Sequence, residues 1–304
     1  MSGTVRIKNN NIYAKLLNDN LANSALNMLQ NPVWPLCRLT LMLYLTSPYS
    51  ELKKIIFELP KKIELEDITY DTPVDILTPY LDELSYIEVV KNDNYSRKKL
   101  IPKILSEDGQ ELDLLERVIY FIQQNIIDKE LESINSYLCR PMNCTLCCIG
   151  PKKDALQEFF EIPLLEKEIG LFALDVIEDD KSIYMTPYDE PPFLIEDKPF
   201  YFHPPKIYRW SYGYSLILPK GTKCPNLDTQ GRCIIYKRRP VVCRKPQIFS
   251  KVIDRDIKVK DSFWQIRKSI LAITDCPYVL ATKDKIISYA NKNELDCVFM
   301  QNKI

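Results

Sequence analysis

Eight of the ten cysteines in this 304-residue chain fall between Cys139 and Cys276. The first group lies in CRPMNCTLCC, as Cys139, Cys144, Cys147 and Cys148. Cys144 and Cys147 have the C-x-x-C spacing that lets two thiolates from one turn reach one metal. Cys148 follows at once, and neighbouring side chains of an extended chain point to opposite faces. Cys147 and Cys148 are therefore expected to serve two metals, or two corners of a larger cluster. The second group lies in CPNLDTQGRCIIYKRRPVVCR, as Cys224, Cys233 and Cys243, with Cys276 further on. Asp228 and Gly231 mark a turn, and Ile234–Tyr236 reads as a short strand. Proline follows both Cys224 and Cys276, as it follows one ligand cysteine of the bacterial ferredoxin run.

Positive charge accompanies these thiols. Arg232, Lys237, Arg238, Arg239, Arg244 and Lys245 surround the last three cysteines of the stretch. A thiol must lose its proton to bind metal, and a thiolate cage is net negative. Nearby cations lower the thiol pKa values and balance the bound core. Arg239 and Arg244 are the candidates for hydrogen-bonding the sulfurs from behind the ligands.

The string C-P-x-L-D-x-x-G-R-C-x-I-Y-x-x-R-P-x-x-C-R after NCTLCC resembles the cysteine-cluster proteins of the CxxCxxCC type, a zinc- or iron-chelating family. The resemblance runs from about Cys139 to Cys276. It implies metal chelation by Cys144, Cys147, Cys148, Cys224, Cys233 and Cys243, with Cys139 and Cys276 completing a set of eight. The chain departs at the front, where four residues separate Cys139 from Cys144 and the family name implies two. Structural zinc usually draws on paired C-x-x-C knuckles, and only one such pair is present. The later cysteines are single and widely spaced, which favours an iron–sulfur cluster of the [4Fe-4S] kind, with zinc as the alternative.

The expected function is metal binding with a redox or iron-handling role. Two alternatives belong to other classes. Some proteins with this cysteine pattern are described as flagellin lysine methylases, which makes a protein lysine methylase the enzymatic reading. The seven glycines supply no G-x-G loop for a Rossmann-type methyl-donor site. The other alternative is a metal-responsive transcriptional regulator. His203, the only histidine, sits in FHPPK and reads as a packed loop residue. Asp189–Glu190 and Glu196–Asp197 read as solvated pairs. The aromatic density from Tyr184 to Tyr214 is expected either to line a pocket beside the metal site or to pack a core.

The class expected is α+β: a mainly helical, winged-helix-like domain over 1–136, then an irregular α+β cysteine-cluster domain over 137–304. Helical spacing covers Asn11 to Gln30, with Leu17, Leu21, Ala25 and Met28 on one face. A second helix runs from about Val33 to Leu45 with Pro35 in its first turn, and Ser50 caps a third ending at Pro60. Between Asp75 and Gln124 the pattern reads as a short helix, two strands about the turn Asn92–Ser96, and a long helix capped by Ser106. Cys37 and Cys297 read as structural thiols. In the second half, GPKKDALQEFFEIPLLEKEIG reads as a helix broken at Pro163, and Lys206–Trp210 with Tyr214–Leu218 as a strand pair turning at Gly213.

Charge separates the two halves. Residues 1–138 carry 15 basic and 20 acidic residues, leaving 26 and 21 of the total 41 and 41 for the remainder. The stretch Asp71 to Ile87, where a winged helix would read DNA, holds Asp71, Asp75, Asp82 and Glu83 and no Lys or Arg, so phosphates would be repelled. A protein partner is expected there, not nucleic acid. The start of the chain has no apolar core of signal-peptide length, and Leu39–Leu45 is too short to span a bilayer. No membrane association and a cytoplasmic location, where thiols stay reduced, are expected.

Overall fold

A 26-residue helix, Leu114–Cys139, organises the first half of the fold in a computed structural model. The structure describes residues 12–92, 95–142, 144–245, 247–255 and 263–301. The helix starts where Asp113 accepts from the Glu116 N–H at 2.9 Å while the Glu116 carboxylate accepts from the Asp113 N–H. Ser106, the expected cap, instead closes a turn on Gln110, with Gly109 at φ +85°. A left-handed residue there prevents the helix from beginning earlier.

Contacts divide the chain into two compact units: Met1–Pro141 with Gln247–Gln301, and Met142–Pro246. The class is α+β, as expected. The second unit opens at Met142, and the segment Gln247–Gln301 returns to the first unit.

That return is encoded on the long helix. Its apolar face buries Val118, Ile122, Ile126, Leu131 and Ile134 almost completely. Polar residues on the same side each find a specific partner, because a buried polar group left unpaired would cost about 1–3 kcal/mol. Gln123 donates to the Asn293 carbonyl at 2.8 Å. Gln124 accepts from the N–H groups of Val252 and Ile253, where the pairing between strands Ile248–Arg255 and Trp264–Ile273 shifts register. Asn135 holds both backbone groups of Ile248 and accepts from the Tyr278 hydroxyl at 2.7 Å. Trp264–Ile273 also pairs in parallel with Asp296–Met300 and with Ile104–Leu105.

Glu130 is the most buried acid of this network, 2% exposed, accepting from the Val33 N–H and from the Tyr289 hydroxyl at 2.6 Å. Burial raises its pKa to about 8, opposed by those two donors. Nearby Cys37 and Tyr289 are raised well above their usual values, both chiefly by burial. The folded state therefore holds a proton on Glu130 that the unfolded chain releases near pH 4.5. Its contribution is complete below that pH and is lost as pH rises towards 8, by about 1.4 kcal/mol per pH unit. Glu130→Gln is expected to flatten the fall in denaturation midpoint between pH 5 and 8; an unchanged slope would refute the assignment.

The rest of the first unit differs from the winged-helix pattern. A hairpin pairs Lys62–Leu65 with Ile68–Asp71. Of the two strands expected about Asn92–Ser96, Glu88–Lys91 and Tyr95–Lys98 are helical turns, 93 and 94 lie outside the described residues, and only Ile104–Leu105 is extended. Buried Leu77, Tyr80, Leu84 and Ile87 recur at helical spacing, and that periodicity governs. Residues 12–17 are helical, and after a break at 18 and 19 the helix Asn20–Gln30, capped by Asp19, buries Ala22, Ala25, Leu26 and Leu29, while Leu17 is exposed. Trp34–Thr46 carries its proline in the first turn as expected, and Cys37 is fully buried. Glu51, not Ser50, precedes the helix Leu52–Phe57.

The second unit is built on a four-stranded sheet. Phe159–Leu164 pairs antiparallel with Gly213–Pro219, which pairs with Lys206–Trp210, which pairs in parallel with Val176–Ile177. The expected hairpin at Gly213 is present. The expected helix across Pro163 is an edge strand followed by the 3-10 turn Glu166–Leu171. An edge strand tolerates a residue without an N–H. Alternation sends Ile162, Leu164, Ile207, Leu216 and Leu218 to one face and Phe159, Tyr208, Trp210 and Ile217 to the other.

Candidate metal centre

The first face of that sheet packs against the cysteine loops. Cys224 and Leu227 belong to its buried cluster, and Cys148 and Cys243 pack on it half-buried. Leu146–Cys148 forms a 3-10 turn closed by the Cys148 N–H donating to the Thr145 carbonyl at 2.7 Å. The chain then runs antiparallel to residues 221–224. The Cys224 N–H donates to the Cys148 carbonyl at 2.8 Å, the Gly150 N–H to Thr222 at 2.9 Å, and the Gly221 N–H to Pro151 at 2.8 Å. Two cysteines 76 positions apart are thereby one backbone hydrogen bond apart.

Gly150 permits this approach. A Cβ there would stand 2.0 Å from the Pro219 carbonyl oxygen. The second residue after the first cysteine cluster must be glycine for the two stretches to meet.

A clip formed by CPNLDTQGRC places Cys233 back beside Cys224. Leu227 and Cys233 form an antiparallel bridge, and the Ile234 N–H donates to the Asn226 carbonyl at 2.9 Å. Asp228 accepts from the N–H groups of Gln230 and Arg232 and from the Arg232 Nε, all at 2.8 Å. Those bonds, the Arg232 N–H first, hold its carboxyl below the usual range. Gly231 takes φ +76°, and a Cβ there would meet the Thr145 methyl at 3.1 Å, so the clip lies against the first cysteine turn. The expected strand at Ile234–Tyr236 is absent; Cys233 is a lone bridge residue and Tyr236–Arg238 is a 3-10 turn. Asp228→Ala should loosen this clip and weaken metal binding about 10–100-fold in a competitive chelator titration. Affinity equal to wild type would contradict that role.

The last thiol arrives on the short helix Val241–Arg244. Glu168 secures its start, accepting from the Val241 N–H at 2.8 Å and from the Leu165 N–H at 2.9 Å. Sequence reasoning did not single out Glu168, nor Asn226, whose side chain donates to the Leu171 carbonyl at 3.0 Å. Neither carries a local signal beyond lying near the motif. Arg239 is 8% exposed, its guanidinium 3.8 Å from the Tyr236 ring centre and its Nε donating to the Tyr236 carbonyl.

Electrostatics ties these groups together. Burial pushes the Cys243 thiol up to about 12; Cys224, Cys233 and Cys147 add to the rise and Arg239 opposes it. Cys224 and Cys233 are also raised, mainly by burial, with the Asn226 and Ile235 N–H groups respectively lowering them. Without a bound cation these thiols hold their protons. Among the described residues, no three His, Cys, Asp or Glu side chains are drawn as close as the ligands of a single ion. The donor chemistry is nonetheless all sulfur, and soft thiolates select zinc, copper(I) or iron–sulfur cores.

Cys139 and Cys276 belong to the first unit, at the end of the long helix and before the helix Pro277–Ala281. Cys297 lies on that unit's strand Asp296–Met300. His203 contacts the Ile195 carbonyl at 3.0 Å, a packed loop residue as expected. Of the aromatic stretch, Phe193, Phe200, Tyr201, Tyr208 and Trp210 pack a core on the other face of the sheet, while Tyr214 packs on the cysteine-bearing face. No described helix is long and apolar enough to cross a membrane.

Residues 138–270 match the model of the CxxCxxCC family, described as a "putative zinc- or iron-chelating domain". No curated protein and no solved structure matches the chain significantly.

Proposed function

Taking residues 138–270 as a CxxCxxCC domain, we propose that the second unit holds an iron–sulfur cluster and serves a redox or iron-handling role. The ligands come from Cys144, Cys147, Cys148, Cys224, Cys233 and Cys243. The observation that carries this reading is the backbone ladder joining Cys148 to Cys224, with Cys233 clipped opposite and Cys243 within electrostatic reach of three other thiols. One C-x-x-C pair in the first stretch and single, widely spaced cysteines in the second support a multi-atom core over a single zinc ion.

A bound cluster would supply one-electron chemistry whose potential depends on net charge, hydrogen bonds to sulfur and solvent exposure. The chain's own residues set those conditions. Asn226 and Ile235 direct N–H groups at the sulfurs of Cys224 and Cys233. Arg239 places a buried positive charge where Cys233 and Cys243 must give up protons. The apolar sheet face behind Cys224 and Cys148 keeps water from that side.

Anaerobic purification tests the reading. Brown protein with a broad band near about 400 nm and matching iron and acid-labile sulfide supports it. Colourless protein carrying stoichiometric zinc would overturn the cluster while leaving chelation intact.

A further inference from the structure

The face of the sheet turned away from the cysteines carries exposed aromatic surface that the metal reading does not use. Tyr188 is 65% exposed, Phe202 68%, Tyr212 53% and Tyr184 81%. They are linked into one patch. Tyr188 lies 5.6 Å from Phe159, which stacks on Tyr201 at 5.8 Å, and Tyr201 meets Phe202 at 5.3 Å. Tyr212 donates to Glu161, and Tyr188 is raised to about 12 by burial and by the same carboxylate. The Ser211 N–H donates to the Met185 carbonyl at 3.0 Å, bringing the Tyr184 segment beside Tyr212.

Charge says what this patch would accept. Residues 179–203 carry six carboxylates and two lysines, whereas residues 220–245 around the thiols carry eight cations and one carboxylate. Asp189 is fixed at the edge of the aromatic patch, its two oxygens accepting from the Thr186 N–H and hydroxyl at 2.9 and 2.7 Å. Tyrosine and phenylalanine faces attract ammonium and guanidinium groups, and adjacent carboxylates reinforce that attraction. Contiguous exposed aromatic surface of this kind is uncommon unless something covers it.

The geometry points to a docking surface for a basic protein segment, whose lysine or arginine side chains lie over Tyr188, Phe202 and Tyr212 within reach of Glu161, Asp189 and Glu190. Aromatic anchors give contact area at little conformational cost, and the acidic rim gives orientation and a salt-dependent association rate. An acidic or nucleic-acid partner would meet repulsion here.

The test uses the full chain with its metal retained. A fluorescent twelve-residue peptide of alternating lysine and glycine is titrated by anisotropy, with the glutamate–glycine peptide as comparison. Only the lysine peptide should bind, more weakly as salt rises. Tyr188→Ser with Phe202→Ser should raise Kd about tenfold. Asp189→Asn with Glu190→Gln should raise Kd and reduce the salt dependence. Both double variants should keep wild-type metal content, because the altered side chains lie across the sheet from the thiols, so the result is independent of the metal reading. Absence of lysine-peptide binding, equal binding of both peptides, or unchanged Kd in both variants would overturn the proposal.

Discussion

Cys243→Ser is expected to lower metal affinity at least about 100-fold, on the order of a quarter of the roughly 10–16 kcal/mol that structural zinc supplies in zinc-finger peptides. Cys243 is the thiol on which the electrostatic influences of Cys224, Cys233, Cys147 and Arg239 converge. Serine offers a harder oxygen that stays protonated, and it leaves the remaining thiols buried without the cation that would justify their ionisation. Cys297→Ser is the matched control, since that half-buried thiol lies on a strand of the first unit. Metal content by mass spectrometry after chelator challenge should fall in the first variant and hold in the second. Equal retention in both would remove Cys243 from the centre.

Gly150→Ala should cost about 3–5 kcal/mol and abolish stoichiometric metal binding together. The added Cβ would sit 2.0 Å from one backbone oxygen and 2.8 Å from another, and backbone cannot rotate away as a side chain can. Relief would require opening the ladder between 148–151 and 221–224, the feature that aligns Cys148 with Cys224. Gly170→Ala is the control, because a Cβ there meets nothing within 4 Å. A denaturant titration that shows Gly150→Ala as stable as Gly170→Ala would mean the two stretches are not held as described.

These two residues show what kind of information the sequence carries. The thiols were legible because cysteine spacing encodes ligand geometry locally, and Asp228 and Gly231 because turn chemistry is local too. Gly150 follows the cysteine cluster in a chain with only seven glycines, yet nothing nearby says that Pro219 will approach it. Glu168 lies 73 positions from the N–H it secures.

The same division runs through the fold. Pro35 and the Gly213 hairpin are local signals and lie where expected. The strand Phe159–Leu164 was hidden because LQEFFEIPLLEKEI has apolar spacing that suits a helix, and only its edge position in the sheet accommodates Pro163. The return of residues 247–301 to the first unit rests on Gln123, Gln124, Glu130 and Asn135. In sequence these are polar interruptions of a helix, and their partners in the returning segment lie more than 100 positions away.

The central claim is that sulfurs from two distant stretches surround one inorganic centre. X-ray absorption at the edge of whichever metal the full-length protein retains measures that most directly. A first shell of sulfur alone, at about 2.3 Å, is the predicted result. A shell dominated by nitrogen or oxygen, in protein whose cysteines are reduced and unmodified, would contradict the account.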